Sequence, residues 1–349
     1  MLTLVTGATG LVGNNVVRLL LQRGAAVRVL TRAGSDPRPL AALDVETVQG
    51  DVRDLESMRR ACRGVERVVH AAAEVRIGWS GLEKQRAINV DGTRHLAAAA
   101  REVGARLVHV STVDAMGYGT RAKPADEDTP LNGHVACPYV VTKREAEHVV
   151  LEQVELGLDA VIVNPAFMLG PWDWKPSSGR MLLAVAKGRC LWAPPGGNDF
   201  CDVRDVAAGI LAAAERGKRG RRYILGGEPL SYLEAWRMFA EVSGGRPPRR
   251  VVGRRLLQAA GVIGGLWGRI ARREPDVNSA ATAMSVMEHH FQSARAAAEL
   301  GYSPRPAREA AEAAWDWFRH FQPHCLSKNR GAGETPAPQR RFYTSRGRP

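Results

Sequence analysis

Near its start the chain reads TLVTGATGLVG, residues 3–13, an aliphatic and β-branched run that gives way to Gly7, Gly10 and Gly13 at intervals of three. A buried strand that turns sharply into a helix has three uses for glycine there. A Cβ would block the turn itself, the approach of a phosphate to the backbone, and the packing of helix on strand. The first N–H groups of the helix, with the positive end of its dipole, then face an anion. An ordinary tight turn also uses glycine, so the residues after Gly13 decide between the two.

Those residues repeat a strand and a helix several times. LVGNNVVRLLLQRG has apolar residues at helical spacing and stops at Gly24, where a C-cap glycine belongs. Strands are expected at Ala26–Leu30, Val45–Asp51, Arg67–Ala73, Arg106–Thr112 and Asp159–Pro165. Between them helices are expected from Asp54, over AINVDGTRHLAAAAREVG, and from Pro138 over PYVVTKREAEHVVLEQVELG. Aliphatic strands alternating with helices predict an α/β fold: a doubly wound parallel sheet of Rossmann type, with the glycine turn at its ligand-binding edge. Beyond about Asn164 the rhythm breaks into Pro-, Trp- and Gly-rich loops mixed with helices at Met181–Gly188, Arg204–Arg216 and Ser231–Ser243. We therefore expect a dinucleotide-binding domain over 1–165, to which about 200–230 returns. A smaller C-terminal substrate lobe over 166–322 would carry a lid, and a disordered basic tail would occupy 323–349.

The formal charge of +13 invites a nucleic-acid partner, but the basic residues are spread along the chain and no recognition module accompanies them. No nucleic acid is expected. The longest apolar stretch, around Ile263, is too short and glycine-rich to span a bilayer. Flanked by Arg254, Arg255, Arg269, Arg272 and Arg273, it could rest on a membrane surface, though a helix of the substrate lobe is the expectation. Cys62, Cys137, Cys190, Cys201 and Cys325 are odd in number and without CxxC spacing, which fits reduced thiols in a cytoplasmic protein. His70, His109 and His134 have no metal spacing, and no metal is expected.

Tyr139 and Lys143, in YVVTK, share one face of the predicted helix. A phenol is a poor acid or base at neutral pH, but a neighbouring ammonium and an oxidised nicotinamide both favour its phenolate. Tyr139 can then pass a proton to or from a substrate oxygen while a hydride moves. Ser111 and Thr112 end the preceding strand at the edge where a nicotinamide would lie, and one of the two hydroxyls can meet the reacting oxygen. An exposed helical pair and turn-closing hydroxyls are the plainer readings of the same residues.

Taken together, TGATGLVG, GDVRD, VVHAAA, NVDGT, VHVSTVDAMG, YVVTK, VNPAFMLGP and DVRDVAAG succeed one another over residues 2–321. In this order and spacing they resemble the extended short-chain dehydrogenase/reductases, the NAD-dependent epimerase/dehydratase family. Through GPWDWKPSSGR, RRYILGGEPLS and ARAAAELGYSPRP the chain looks most like the dihydroflavonol-4-reductase-like and hopanoid-associated sugar epimerase branch. The resemblance implies that Tyr139 is the acid/base, that Lys143 is its partner on the nicotinamide ribose, and that Thr112 is the hydroxyl residue, with Ser111 beside it. It places the turn residues Gly7, Thr9, Gly10, Leu11, Val12 and Gly13 around the pyrophosphate and Asp51 and Val52 near adenine. Ala71, Ala72 and Ala73 would line the groove, Asn89 would sit behind it, and Asn164, Pro165 and Phe167 would flank the nicotinamide.

One departure bears on the cofactor. Where NAD-binding relatives carry an acidic residue after the second strand, this chain has Thr31 and Arg32, and an arginine can pair with a 2′-phosphate that an acid would repel. NADP(H) is therefore expected, with NAD(H) as the alternative. Asp114, Trp172, Trp174 and Arg180 are candidates for the substrate lobe, the tryptophans either stacking on a polycyclic substrate or packing internally. The expected activity is hydride transfer to or from a carbonyl or secondary alcohol of a small molecule, in a monomer or homodimer. A nucleotide-sugar epimerase or dehydratase with retained cofactor is the alternative, and a non-catalytic NADP sensor would not need Tyr139.

Overall fold

The computed structural model describes residues 1–133, 135–270, 275 and 277–326. Its first six strands are β1 (Leu2–Thr6), β2 (Ala26–Thr31), β3 (Glu46–Gln49), β4 (Arg67–His70), β5 (Arg106–Val110) and β6 (Ala160–Pro165). Three short strands come next, β7 (Phe167–Leu169), β8 (Trp192–Ala193) and β9 (Gly197–Asp202), before β10 (Arg222–Leu225) rejoins the large sheet beside β6. All seven strands of that sheet are parallel, in the order β10-β6-β5-β4-β1-β2-β3. The chain order reverses between β1 and β4, and at such a switch point the carboxyl ends of the strands open a ligand crevice.

The connecting helices are α1 (Leu11–Gln22), α2 (Leu55–Cys62), α3 (Leu82–Arg86), α4 (Gly92–Glu102), α5 (Pro138–Glu155), α6 (Gly179–Ala186) and α7 (Val203–Arg216). Strand side chains alternate between two cores, as the pleat requires. Val5, Val29, Val69, Val108 and Val163 pack with Val16, Val17 and Leu20 of α1 and Val206 and Ile210 of α7. Leu4, Leu30, Val68, Leu107 and Ile162 pack with Met58 of α2, Leu96 of α4 and Val150 of α5. Local chemistry fixes the ends: Asp54 caps α2 through the N–H groups of Glu56 and Ser57, Pro138 opens α5, and Gly24 comes after α1 at φ +70°.

The C-terminal part adds β11 (Glu228–Ser231), α8 (Tyr232–Ser243), β12 (Arg250–Val251), α9 (Arg254–Ile270), α10 (Ser279–Ser285), β13 (Glu288–His289), α11 (Ala294–Leu300) and α12 (Ala307–Phe321). Here β11, β9, β13 and β7 make a second sheet, and Phe200, Trp172, Phe239, Trp317 and Phe318 form the core of the smaller lobe.

Three elements differ from the sequence reading. Strand β4 stops at His70: the Ala71 N–H makes the last rung to the Thr6 carbonyl, and the Ala72 N–H turns to the Thr6 hydroxyl instead. Strand β5 likewise stops at Val110, before Ser111 and Thr112. The helix expected from Ala87 begins earlier, at Leu82, and contains a π-helical turn over Ala87–Asp91. Residues 327–349 of the expected tail, His134, Arg272 and Arg273 lie outside the described residues. Among the described residues no helix is long and apolar enough to cross a membrane.

Candidate active site

A groove of about 810 Å³ opens at the switch point, lined by Gly7, Thr9, Gly10, Thr31, Arg32, Asp51, Val52 and Ala71 to Ala73. Its first wall is the glycine turn, whose three glycines do different work. Gly7 is at φ +71°, and a Cβ on it would stand 2.6 Å from the Ala71 backbone. Gly13 abuts the Gly7 carbonyl, so its lack of a side chain lets α1 pack on β1. Gly10 is under neither constraint, its nearest neighbour being the Gly7 oxygen at 3.3 Å. It is the N-cap of α1 yet provides no side-chain cap, and the first turn of α1 has no acidic residue. The helix therefore offers uncapped N–H groups and an open approach to an anion, which fits a cofactor pyrophosphate.

At the far wall of the groove Arg53 closes on the Asp51 carboxylate, 2.7 Å away. That pair holds the Asp51 carboxyl below the usual range, with Arg32 contributing charge from a greater distance. Arg32 and Lys175 also line the groove, and neither forms an ion pair among the described residues. Arg53 and Lys175 were not among the sequence-derived candidates. Arg53 could have been suspected from its place in GDVRD, whereas nothing in the sequence brings Lys175, from the GPWDWKPSSGR loop, to this wall.

Beyond Ala73 the groove is tied to α5. Asn89, buried in the π-helical turn, accepts from the Glu74 N–H at 2.8 Å and donates to the Glu74 carbonyl and to Thr142 Oγ1 at 3.1 and 3.0 Å. One residue on, Lys143 is buried and its Nζ donates to the Val110 carbonyl at 2.7 Å. Burial pushes the Lys143 ammonium down to about 8, against a smaller opposing effect of Glu147. Burial moves the half-buried Tyr139 phenol the other way, above its ordinary range; the Asp114 charge adds to this and a hydrogen bond with Thr112 opposes it. Thr112 Oγ1 donates to Asp114 Oδ2 and accepts from the Asp114 N–H, both at 3.2 Å. Thr112, Asp114 and Tyr139 thus form one connected group at the carboxyl end of β5, and Lys143 is tied separately to the last carbonyl of that strand. The Ser111 hydroxyl is buried, with no partner among the described residues.

Other sequence candidates have different surroundings. Asn164 is fully buried and donates to the Thr112 carbonyl and to Glu147 Oε1, so it holds the Thr112 loop against α5. Glu147 in turn pairs with Arg222 at 2.7 Å. Pro165 ends β6 and is buried, while Phe167 packs on Phe200 in the lobe. Leu11 is buried, and Val12 packs partly into the core under α1. Trp172, at φ +71°, lies in the aromatic cluster with Trp174, Trp317 and Phe321 and has the Arg18 guanidinium 3.3 Å above its ring. Its surface is therefore taken up by packing. Arg180 is exposed at the start of α6.

His70 lies between Thr6 Oγ1 and Thr93 Oγ1, at 2.7 and 3.0 Å, and burial drives its pKa down to about 3, so it is a neutral hydrogen-bonding group. Among the described residues no cluster of His, Cys, Asp or Glu could hold a metal ion.

Comparison with known proteins gives the family and the fold. The model of the NAD dependent epimerase/dehydratase family matches residues 3–226. Sterol demethylase protein B of Methylococcus capsulatus is 39% identical over 91% of this chain and 98% of its own length. A candidate dihydroflavonol 4-reductase of Synechocystis sp. is 35% identical over 90% and 94%. The crystal structure of gox2253 superposes with a TM-score of 0.79 at 39% identity, covering 91% of this chain and 98% of the other.

Proposed function

The chain belongs to the NAD-dependent epimerase/dehydratase family and is an extended short-chain dehydrogenase/reductase-type oxidoreductase; from this premise we propose a more specific reaction. It moves a hydride between NADP(H) and a carbonyl or secondary alcohol of an apolar small molecule, with Tyr139 handling the proton. The observation that carries the reading is the connected Thr112, Asp114 and Tyr139 group, with Lys143 buried one helical turn from Tyr139, beside an anion-accepting groove.

The nicotinamide, when bound, supplies or accepts the hydride. Tyr139, protonated at neutral pH as a phenol is, gives its proton to the substrate oxygen during reduction. The Lys143 ammonium, one helical turn away, favours the phenolate left behind and so lowers the cost of that transfer. Thr112 can turn its hydroxyl from Asp114 to the reacting oxygen, and Asp114 keeps Thr112 in place until then. Asn164 and Asn89 act as positioning residues, one for the Thr112 loop and the other for α5.

NADP(H) is favoured by Thr31, which carries no charge against a 2′-phosphate, and by Arg32 and Lys175, two groove cations that form no direct ion pair among the described residues. An apolar substrate is favoured by the similarity to a sterol demethylase protein and to a dihydroflavonol reductase candidate, whose names refer to ring compounds.

The test is a titration and a turnover assay on the purified protein. NADPH should bind more tightly than NADH and be consumed stoichiometrically with hydrophobic ketones or aldehydes. Arg32→Ala should reduce the preference for NADPH by about 1–3 kcal/mol. Equal affinities for the two cofactors would remove the NADP assignment. UDP-sugars that raise the melting temperature and are interconverted without net loss of NADPH would replace the reductase reading with an epimerase.

A further inference from the structure

Helix α9 reverses the usual amphipathic arrangement. Its inward stripe is glycine: a Cβ on Gly261 would run into Thr282 Oγ1 and one on Gly264 into the Val277 carbonyl, and Gly268 is buried as well. The large apolar side chains point outward. Leu256, Val262, Ile263, Leu266, Trp267 and Ile270 are between 54% and 79% exposed. Trp79 and Val277, also about half exposed, flank the same region, and Trp79 is hydrogen-bonded to Ser279 at the start of α10. An apolar face of this extent marks an interaction site rather than ordinary surface.

We propose that α9 docks the protein on an anionic bilayer, lying in the plane of the interface with its outward face among the acyl chains. The charge around it selects this occupant. Between Glu241 and Glu274 the sequence has eight arginines and no acidic residue. Arg249, Arg250, Arg254 and Arg255 are exposed, and none pairs with a carboxylate among the described residues. Apolar anchors with a tryptophan, bordered by uncompensated arginines, match an interface of acyl chains beneath anionic headgroups. A second copy of the chain fits less well. Residues 254–270 contain arginines and no acidic residue, so two such helices brought together have no opposite charges to pair.

The docked face is one helix away from the chemistry. Helix α9 packs on α10, and Ala280 and Met284 of α10 pack with Cys137, Val140 and Tyr139 at the first turn of α5. On the proposed reading of an apolar substrate, a carbonyl compound dissolved in the bilayer would have a short path to Tyr139. The docking itself does not depend on that reading.

Sedimentation of the full chain with vesicles tests the proposal without any turnover, so its failure and that of the reductase reading are separate. The protein should pellet with equimolar phosphatidylglycerol and phosphatidylcholine, and more weakly with phosphatidylcholine alone. Replacing two outward side chains, Ile263→Glu with Trp267→Glu, should leave the melting temperature unchanged and weaken vesicle binding by about a hundredfold or more. Arg254→Gln with Arg255→Gln should weaken binding to the anionic vesicles by about twenty-fold and leave binding to phosphatidylcholine alone unchanged. Failure to bind either vesicle would overturn the proposal, as would undiminished binding by the Ile263→Glu/Trp267→Glu variant. A dimer in analytical ultracentrifugation that this variant dissociates, with no vesicle binding by the parent, would assign the face to a second copy instead.

Discussion

Replacing Gly10 and Gly13 by alanine, one at a time, should separate two roles that one residue type plays within a single turn. At Gly13 the added Cβ would meet the Gly7 carbonyl and stand 3.0 Å from Ala8 Cα, all of it backbone that no side-chain rotation can move away. Overpacking costs about 1–3 kcal/mol, and so close a contact belongs at the upper end of that range. Alanine's better helix propensity returns about 1 kcal/mol, which leaves a net loss of about 2 kcal/mol in stability. At Gly10 the backbone has φ −89°, open to any residue, and the nearest atom is 3.3 Å from the new methyl. Fold stability should therefore change by less than about 1 kcal/mol. The methyl nevertheless stands over the uncapped first turn of α1, where it would hold a pyrophosphate off the N–H groups. Losing one such charge-assisted hydrogen bond is worth about 1.5–3 kcal/mol, or roughly 10- to 100-fold in affinity. Urea unfolding without cofactor and NADPH titration by fluorescence measure the two effects separately. The reasoning fails if Gly10→Ala unfolds as readily as Gly13→Ala, or if it binds NADPH as tightly as the unaltered protein.

Tyr139→Phe removes one hydroxyl, so cofactor affinity should be kept while turnover falls by about two orders of magnitude or more; near-normal turnover would rule out the proposed role. Because burial sets the Lys143 ammonium at about 8, the charge that supports Tyr139 is present below that pH and lost above it. The pH profile of kcat/KM for ketone reduction should accordingly fall as pH rises through about 8, and a flat profile to pH ~10 would contradict this. Asp173 accepts from the N–H groups of Ser177 and Gly179, yet burial pushes its pKa up from 3.8 to about 7. The folded state thus keeps a proton that the unfolded chain has released, and the stability this provides is full below about pH 4 and lost as pH rises through about 7. Asp173→Asn should flatten the decline of Tm over that window, whereas parallel curves for variant and parent would exclude Asp173 as its source.

The sheet was legible because its strands are short aliphatic runs with turn signals between them, and the alternation of Leu4 and Val5 or Leu107 and Val108 between two cores comes from the pleat. What the pattern could not convey is where a strand stops in order to build a site. Ala71 and Ala72 read as a continuation of β4 because they are apolar, but the ladder ends at Ala71 and the Ala72 N–H turns to the Thr6 hydroxyl. Helical periodicity also runs unbroken through Asn89, so the π-helical turn has no signature in residue type; what sets it apart is tertiary, since Asn89 bonds across to Glu74 and Thr142 and Gly92 comes too near Val52 for a side chain. YVVTK and the glycines were legible as chemistry because their spacing is local. Asp114 on Thr112, Lys175 at the groove and Glu147 behind Asn164 depend on contacts that no local spacing encodes. The apolar residues of α9 were read as lobe packing, and their number was right for that. Their direction, set by which stripe is glycine, was the missing information.

The stacking of Arg18 over Trp172 has a mechanical consequence. Arg18 belongs to the helix whose first turn borders the glycine loop, and Trp172 belongs to the core of the smaller lobe. Two residues earlier in the sequence than the stacked ring, Gly170 is at φ +149°, and between them the Pro171 carbonyl accepts from Asn15 Nδ2 at 3.0 Å. The two halves of the molecule are therefore riveted at one corner, close to the phosphate-binding end. The smaller lobe is held at the opposite end as well, where Ala280 and Met284 pack with Tyr139 and Asn278 donates to the Ile77 carbonyl, so it cannot turn as one body about this rivet without breaking those contacts.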